Sequence, residues 1–272
     1  MPMRNTRIET LGILALLATL LAALPALAQP ARGGRGGAPA TPKTAAPVDL
    51  TGYWVSIVDE DWRFRMVTPV PGDYMGVPMT AASKQVADAW DPAKDEAAGE
   101  QCKSYGAPAI LRVPEHLHLT WQDDQTMKLE TDSGTQTRLF HFGDWKPAGG
   151  PPTWQGDSTA SWEGVAGGRG FGAAPGAGGS ETSDPTGRGD LKVTTTHLKA
   201  GYLRKNGVPY SENAQLTEYY DIVKEKNGDT MLVVTIVTTD PQYLREPFII
   251  TSHFKKQANN DGWKPTPCSA KW

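Results

Sequence analysis

The chain has 272 residues, of which 39% are apolar and 21% charged, and its formal net charge at pH 7 is −3. Nucleic acids and anionic membranes attract proteins with a strongly basic surface, so this charge balance makes neither an expected partner. The length is enough for one compact domain beside shorter terminal segments.

The first 28 residues have the pattern of an export signal. Arg4 and Arg7 form a basic start, residues 11–24 are almost wholly apolar, and residues 26–28 read Ala-Leu-Ala, which suits signal-peptidase cleavage. A membrane anchor is the alternative, but the apolar run is shorter than the roughly 20 residues that a spanning helix needs. We therefore expect a periplasmic or secreted protein with no membrane span.

Two further segments lack the apolar periodicity of folded structure. Residues 29–47 consist mainly of Ala, Pro, Gly, Thr and Arg, and residues 165–189 include the run GGRGFGAAPGAGG. Such compositions cannot bury a core, so we predict a disordered tether and a disordered insertion. The rest of residues 48–272 is then a single β domain.

The chain contains two cysteines, Cys102 and Cys268. In an exported protein an even number of cysteines predicts a disulfide. A shared metal is the alternative, but the two residues are far apart and lack the Cys-x-x-Cys spacing of common metal sites. The sequence therefore predicts a disulfide and no metal at this pair.

Alternation of apolar and polar residues is the main structural signal in the domain, and it predicts strands. Asn227-Gly228 is a strong hairpin signal between two of them. The stretch 231–239 is apolar on both faces and is predicted to be a central strand. The nine predicted strands cover residues 53–58, 62–67, 117–121, 126–131, 135–142, 191–198, 215–223, 231–239 and 248–255.

Two short helices are predicted, at residues 80–90 and 91–99. Thr80 and Asp91 are suitable N-cap residues, and Pro92 favours a first helical turn. Nine strands and two short helices predict a mainly β fold, either an antiparallel barrel or a strongly curved sheet.

The start of the domain, Gly52-Tyr53-Trp54, resembles the Gly-x-Trp that opens the first strand of lipocalin-like barrels. This resemblance implies that Trp54 closes one end of a barrel, where the equivalent Trp usually stacks on an Arg.

A second resemblance covers most of the chain after the export signal. The segments 153–158 (TWQGDS) and 161–164 (SWEG) resemble a block found in a large family of uncharacterised exported proteins of environmental bacteria. Matching elements follow in the same order, namely Leu191–Val193, Ser211-Glu212, Thr217-Glu218-Tyr219, Asp240-Pro241-Gln242-Tyr243 and Pro247. The resemblance implies export but neither a reaction nor a ligand. Tyr210 stands where many members have His, which puts a role for a histidine there in doubt.

The chain has five histidines, at positions 116, 118, 141, 197 and 253. His116 and His118 share one face of a predicted strand, and a His-x-His pair can bind zinc or copper. The alternative, two histidines at the rim of the sheet, is the simpler one, and we predict neither a metal nor a cofactor.

His197 and Glu218 are the candidate catalytic residues. By alternation His197 shares the apolar face of Leu191 and Val193, and Glu218 interrupts an apolar row in the strand 215–223. We predict that the two side chains form a hydrogen-bonded pair in a cavity, where they can exchange protons near neutral pH. The alternative is a buried polar pair that fixes strand register.

Aromatic side chains near this pair in the sequence are the candidate ligand-binding residues, namely Trp154, Tyr202, Tyr210 and Tyr220. Aromatic-lined cavities suit flat or apolar ligands. The alternative is that these residues belong to an ordinary barrel core. Ser158 and Ser211 are not predicted nucleophiles, because neither lies in a Gly-x-Ser-x-Gly motif.

Three functions follow as hypotheses. The first is binding of a small, partly apolar or aromatic molecule in the barrel cavity. The second is a small cavity enzyme, a lyase, isomerase or hydrolase, that uses the His197–Glu218 pair. The third is a structural protein of the cell envelope. The sequence does not predict an oligomeric state.

Overall fold

The computed structural model describes residues 40–164 and 190–271. The predicted export signal and the insertion at 165–189 lie outside these residues, and the predicted tether is described only from residue 40. That last part forms a turn that contacts the barrel, because Trp162 Nε1 donates a hydrogen bond of 2.9 Å to the carbonyl oxygen of Pro42. No helix in the described ranges has the length and apolar character needed to cross a bilayer.

Strands make up most of the described chain. The eleven strands are β1 Gly52–Ile57, β2 His116–Trp121, β3 Thr126–Thr131, β4 Thr137–Phe142, β5 Asp157–Glu163, β6 Asp190–Thr196, β7 Gly201–Arg204, β8 Val208–Tyr210, β9 Gln215–Lys224, β10 Thr230–Thr239 and β11 Phe248–Gln257. The helices are α1 Trp62–Arg65, α2 Ala81–Asp88, α3 Pro92–Ala97 and α4 Ala107–Ile110, with a 3₁₀ helix at Lys103–Tyr105.

Nine strands form a closed barrel in the order β1-β11-β10-β9-β6-β5-β4-β3-β2, and β1 pairs with both β2 and β11. The prediction of a mainly β barrel is therefore confirmed. The strands were predicted to be mainly antiparallel, and among the pairs of the barrel β4 and β5 are parallel. Residues 143–156 connect them, which is about the dozen residues that a return to the same end of a sheet requires.

The two predicted helices are confirmed as α2 and α3, and each begins directly after its predicted N-cap residue. Thr80 Oγ1 accepts a hydrogen bond of 3.1 Å from the backbone N–H of Ser83, and Asp91 Oδ1 accepts one of 3.0 Å from that of Ala93. Each side chain satisfies one of the backbone donors that the first turn of a helix leaves free.

The predicted strand at residues 62–67 is wrong, because this stretch contains α1. Asp61 adopts a left-handed conformation with φ of 51°, which turns the chain out of β1. Two backbone hydrogen bonds then close a helical turn, from Phe64 to Asp61 and from Met66 to Trp62. The apolar alternation here does not mark a buried face, because Trp62, Met66 and Val67 are exposed and the buried side chain of this stretch is that of Arg65.

The barrel interior is filled by side chains. Trp54, Leu119, Phe140, Val234 and Phe254 all point inward and are fully buried. Each contributes about 1.5–3 kcal/mol through removal of apolar surface from water. The strand predicted to be central, β10, alternates buried and half-buried residues like its neighbours, since a closed barrel has no central strand.

Trp54, which the lipocalin-like resemblance singled out, lies in β1 and is fully buried. Its Nε1 donates a hydrogen bond of 3.0 Å to the carbonyl oxygen of Leu50, and the ammonium of Lys256 lies 4.4 Å from the ring centroid. A lysine therefore takes the place of the expected arginine. The number of strands also differs, because lipocalin barrels have eight.

The predicted disulfide Cys102–Cys268 is present, with the two Cα atoms 5.1 Å apart. It joins the start of the 3₁₀ helix to the C-terminal tail across 166 residues of sequence. Such a bond is compatible with an oxidising compartment outside the cytoplasm.

Candidate functional site

The structure does not bring His197 and Glu218 together. β6 ends at Thr196, and His197 has a left-handed φ of 57° that breaks the alternation and turns its side chain outward. Its Nδ1 lies 2.7 Å from Asp157 Oδ2 and its side chain is 38% exposed, whereas Glu218 is fully buried in the barrel. The catalytic role predicted for each residue stays a prediction, without the pairing that motivated it.

Arg138 is the true partner of Glu218. Arg138 Nη1 and Nη2 donate hydrogen bonds of 2.8 and 2.5 Å to the two carboxylate oxygens, and Tyr220 Oη donates one of 3.1 Å. Burial has the largest single effect and lowers the pKa of Arg138, but the charges of Glu218 and Tyr220 and the hydrogen bonds to them together outweigh burial, so the pKa lies above its ordinary value. Sequence reasoning missed Arg138, although it interrupts the inward row of Phe140 and Phe142 just as Glu218 interrupts that of β9.

The four predicted ligand-binding aromatics separate into two places. Trp154 Nε1 donates to the carbonyl oxygen of Ala200, beside the β7–β8 hairpin that contains Tyr202 and Tyr210. Tyr220 lies inside the barrel, 5.6 Å from Phe140 between ring centroids. None of the four lines the cleft described below, and their binding role stays a prediction.

The histidines on β2 have separate partners. His116 Nδ1 lies 2.8 Å from Asp132 Oδ2, and His118 stacks on Tyr53 with the ring centroids 4.0 Å apart. Within the described part of the chain, one other group, Asp59, Glu60 and His253, brings three potential metal-ligating atoms within 4.8 Å of one another. Asp59 is exposed, and His253 Nδ1 lies 3.0 Å from Asp59 Oδ2, so these side chains already serve as hydrogen-bond partners for each other.

Three segments cover the end of the barrel where β1 ends and β2 begins, and we call them the cap. They comprise residues 58–79, residues 103–115 and the β7–β8 hairpin. They are tied to the barrel by Arg65, whose Nη2 donates a hydrogen bond of 3.0 Å to Ser56 Oγ. Its Nε donates one of 2.9 Å to the carbonyl oxygen of Arg112 in the second segment.

A cleft of about 420 Å³ lies between the cap and the start of β11, and we call it the cap cleft. In its wall the guanidinium of Arg204 lies between two phenyl rings, with Cζ 4.2 Å from the centroid of Phe64 and 5.8 Å from that of Phe248. Met75 and Ile249 contribute apolar side chains, and Glu60 and Asp61 contribute carboxylates. The cleft therefore offers both an aromatic surface and charged groups.

The surface around the cap cleft is unusually apolar. Of the seven large apolar side chains that are exposed in the described ranges, six belong to residues 62–75 or to Ile249. Val86, on α2, is the remaining one. Single exposed apolar residues are ordinary, but their concentration in one segment, with Met75 and Ile249 in the lining of the cleft, is typical of an interaction site.

Arginines are concentrated beneath the cleft. Arg65, Arg112 and Arg204 are 3%, 5% and 5% exposed. Arg112 Nη2 donates a hydrogen bond of 2.5 Å to Asp61 Oδ2, and Arg204 Nη1 donates one of 2.7 Å to the carbonyl oxygen of Met75. Burial, followed by the charge of Arg112, lowers the pKa of both Arg65 and Arg204. The three cations thus repel one another in a poorly solvated place.

Two further buried groups in the cap have displaced pKa values. Burial lowers the pKa of Lys205 to about 7, and the charge of Glu115 opposes that change. Burial and the nearby Asp132 raise the pKa of Glu115 well above its usual range. Displaced pKa values are common at functional sites, and both groups lie close to the arginines.

Comparison of the chain with protein-family models, with curated proteins and with solved structures found no match.

Proposed function

We propose that this exported barrel binds a small, partly apolar molecule in the cap cleft. The observation that carries this proposal is the Arg204 guanidinium held between Phe64 and Phe248 in the wall of a cleft of about 420 Å³. Small-molecule sites are concavities of roughly 300–1,000 Å³, lined mainly by apolar and aromatic side chains with a few placed polar groups.

The cap cleft is a better candidate than the barrel lumen. Inward-pointing residues of the strands, such as Phe140, Val234 and Phe254, are fully buried against one another. A ligand in the lumen would have to displace packed side chains, which costs the contacts that stabilise the barrel. We therefore propose the cap cleft as the binding site, instead of the barrel cavity that the sequence predicted.

The concentration of exposed apolar residues also favours binding. Met75 and Ile249 both line the cleft and are both 61% exposed. A ligand seated between them would remove apolar surface from water on both sides, which contributes about 25 cal/mol for each Å² buried.

Binding of N-phenyl-1-naphthylamine, a neutral apolar dye that brightens in apolar surroundings, tests the proposal. Ile249→Asp places a charge at the cleft, and because Ile249 is exposed the fold should persist. Val86→Asp is the matched control, since it makes the same change at an exposed apolar residue on α2.

We expect the wild type and Val86→Asp to bind the dye equally and Ile249→Asp to bind it about tenfold more weakly. A tenfold change in Kd corresponds to about 1.4 kcal/mol of binding free energy. Absence of dye binding to the wild type would overturn the proposal. Equal binding by the two Asp variants would do so as well.

A further inference from the structure

We propose that the ligand is an amphipathic carboxylate whose head group is held by Arg65, Arg112 and Arg204 beneath the cap cleft. This inference rests on the proposed function and adds the chemical class of the ligand.

A small inner cavity lies beside the cap cleft. Its volume is about 20 Å³, and its lining includes the three arginines, Thr68 and Phe64. A volume of that size holds one or two groups as large as a water molecule. It therefore suits the two oxygens of a carboxylate, but not a bulky head group.

Four polar atoms of these residues are buried without a hydrogen-bond partner. They are Arg65 Nη1, Arg112 Nη1, Arg204 Nε and Thr68 Oγ1. Buried polar atoms of native proteins are nearly always paired, so four such atoms around one cavity point to a partner that accepts hydrogen bonds. A guanidinium has only donors, which makes an acceptor with several lone pairs the matching ligand group.

The three arginines outnumber the carboxylates in direct contact with them among the described residues. Asp61 Oδ2 lies 2.5 Å from Arg112 Nη2 and 3.8 Å from Arg204 Nη2, so one carboxylate is shared between these two cations, while Glu60 and Asp59 act on Arg65 from a greater distance. Arg65 donates hydrogen bonds to two neutral oxygens, the carbonyl oxygen of Arg112 and Ser56 Oγ. A carboxylate here would form charge-assisted hydrogen bonds and reduce the repulsion among the arginines.

The two cavities share residues in a way that fits an amphipathic molecule. Phe64 and Arg204 line both the cap cleft and the inner cavity. A ligand can therefore place its head group among the arginines and lay an apolar tail across Phe64 and toward Ile249. A linear or small cyclic carboxylic acid has this shape.

Decanoate and 1-decanol, which differ in the head group, are the probes for this inference. Each is titrated as a competitor of N-phenyl-1-naphthylamine. We expect the wild type to bind decanoate about 10- to 100-fold more tightly than decanol, the range for hydrogen bonds to a charged group.

Arg65→Gln should remove this preference and leave the affinity for decanol unchanged. Arg63→Gln is the matched control, because Arg63 lies on the same helix but points to Asp73 at the surface, and it should retain the preference. Since Arg65 also ties the cap to the barrel, Arg65→Gln can fail to fold. Thr68→Val is then the decisive variant, because it removes an unpartnered hydroxyl at nearly constant shape.

We expect Thr68→Val to weaken decanoate binding about threefold to tenfold and to leave decanol binding unchanged. Equal binding of the two probes by the wild type would overturn the inference while the proposed function stands. A preference unaltered in Thr68→Val would overturn the placement of the head group. Failure of both probes to displace the dye would count against the proposed function itself.

Discussion

Replacing Arg138 by Met should destabilise the barrel strongly. Arg138 and Glu218 are both fully buried and joined by two hydrogen bonds of 2.8 and 2.5 Å. Without the guanidinium, Glu218 keeps one hydrogen bond, from Tyr220 Oη. Removal of one partner of a buried ion pair costs about 3–5 kcal/mol because a charge is left uncompensated, and we expect a loss of that size.

Urea unfolding followed by circular dichroism measures the loss, with Arg138→Met/Glu218→Leu and His197→Ala as comparisons. The double variant should be more stable than Arg138→Met, because it leaves no buried charge. His197→Ala should cost about 0–1 kcal/mol, because its pair with Asp157 is partly exposed. A loss below about 1 kcal/mol for Arg138→Met, or an equal loss for His197→Ala, would refute this reasoning.

Three further predictions concern the disulfide and the titrating groups of the cap. Cys102→Ala should lower the free energy of unfolding by up to about 5 kcal/mol, because the bond closes a long loop, and urea unfolding without reductant checks this. The pKa of Lys205 is lowered to about 7, so between pH 7 and its unfolded value the folded state holds fewer protons, and stability rises with pH. From pH 7 to pH 9 the free energy of unfolding of the wild type, measured with urea, should rise by about 2 kcal/mol relative to that of Lys205→Met. The same pH dependence in both proteins would contradict this. The raised pKa of Glu115 acts in the opposite direction, since its contribution is full below the unfolded pKa and is lost as the pH rises toward the folded pKa. Glu115→Gln should therefore gain stability over the wild type as the pH rises above about 4.5, and thermal melts at several pH values would show a constant difference if this is wrong.

The barrel was predictable because strand alternation has a period of two, and one face of each strand is buried. β5 was not predicted, because its inward-facing residues begin with Ser158 and Ala160, which are too small to give an apolar signal. β7 and β8 are too short for a period to show. The strand predicted at residues 62–67 failed because apolar alternation also occurs where a segment covers a barrel end.

The candidate site was less predictable for a topological reason. Glu218 was identified as an inward polar residue, but its partner had to come from a strand three places away in the barrel, and only the β4–β5–β6–β9 order brings Arg138 close. His197 was misplaced because alternation was extended one residue past the end of β6. The cap cleft joins residues 60–76, Arg204 and residues 248–251, and no local pattern links these segments.

Photoaffinity labelling tests most directly whether the cap cleft is the binding site. A decanol analogue with a diazirine at the end of its chain is bound to the protein, and the complex is irradiated. Peptide mass spectrometry then identifies the labelled residues, and excess decanol serves as the competitor. If the molecule binds in the cap cleft, competed labels are expected on residues 60–76 and 248–251, which include Phe64, Met75 and Ile249. Competed labels on inward residues of the barrel, such as Phe140 or Val234, would contradict it.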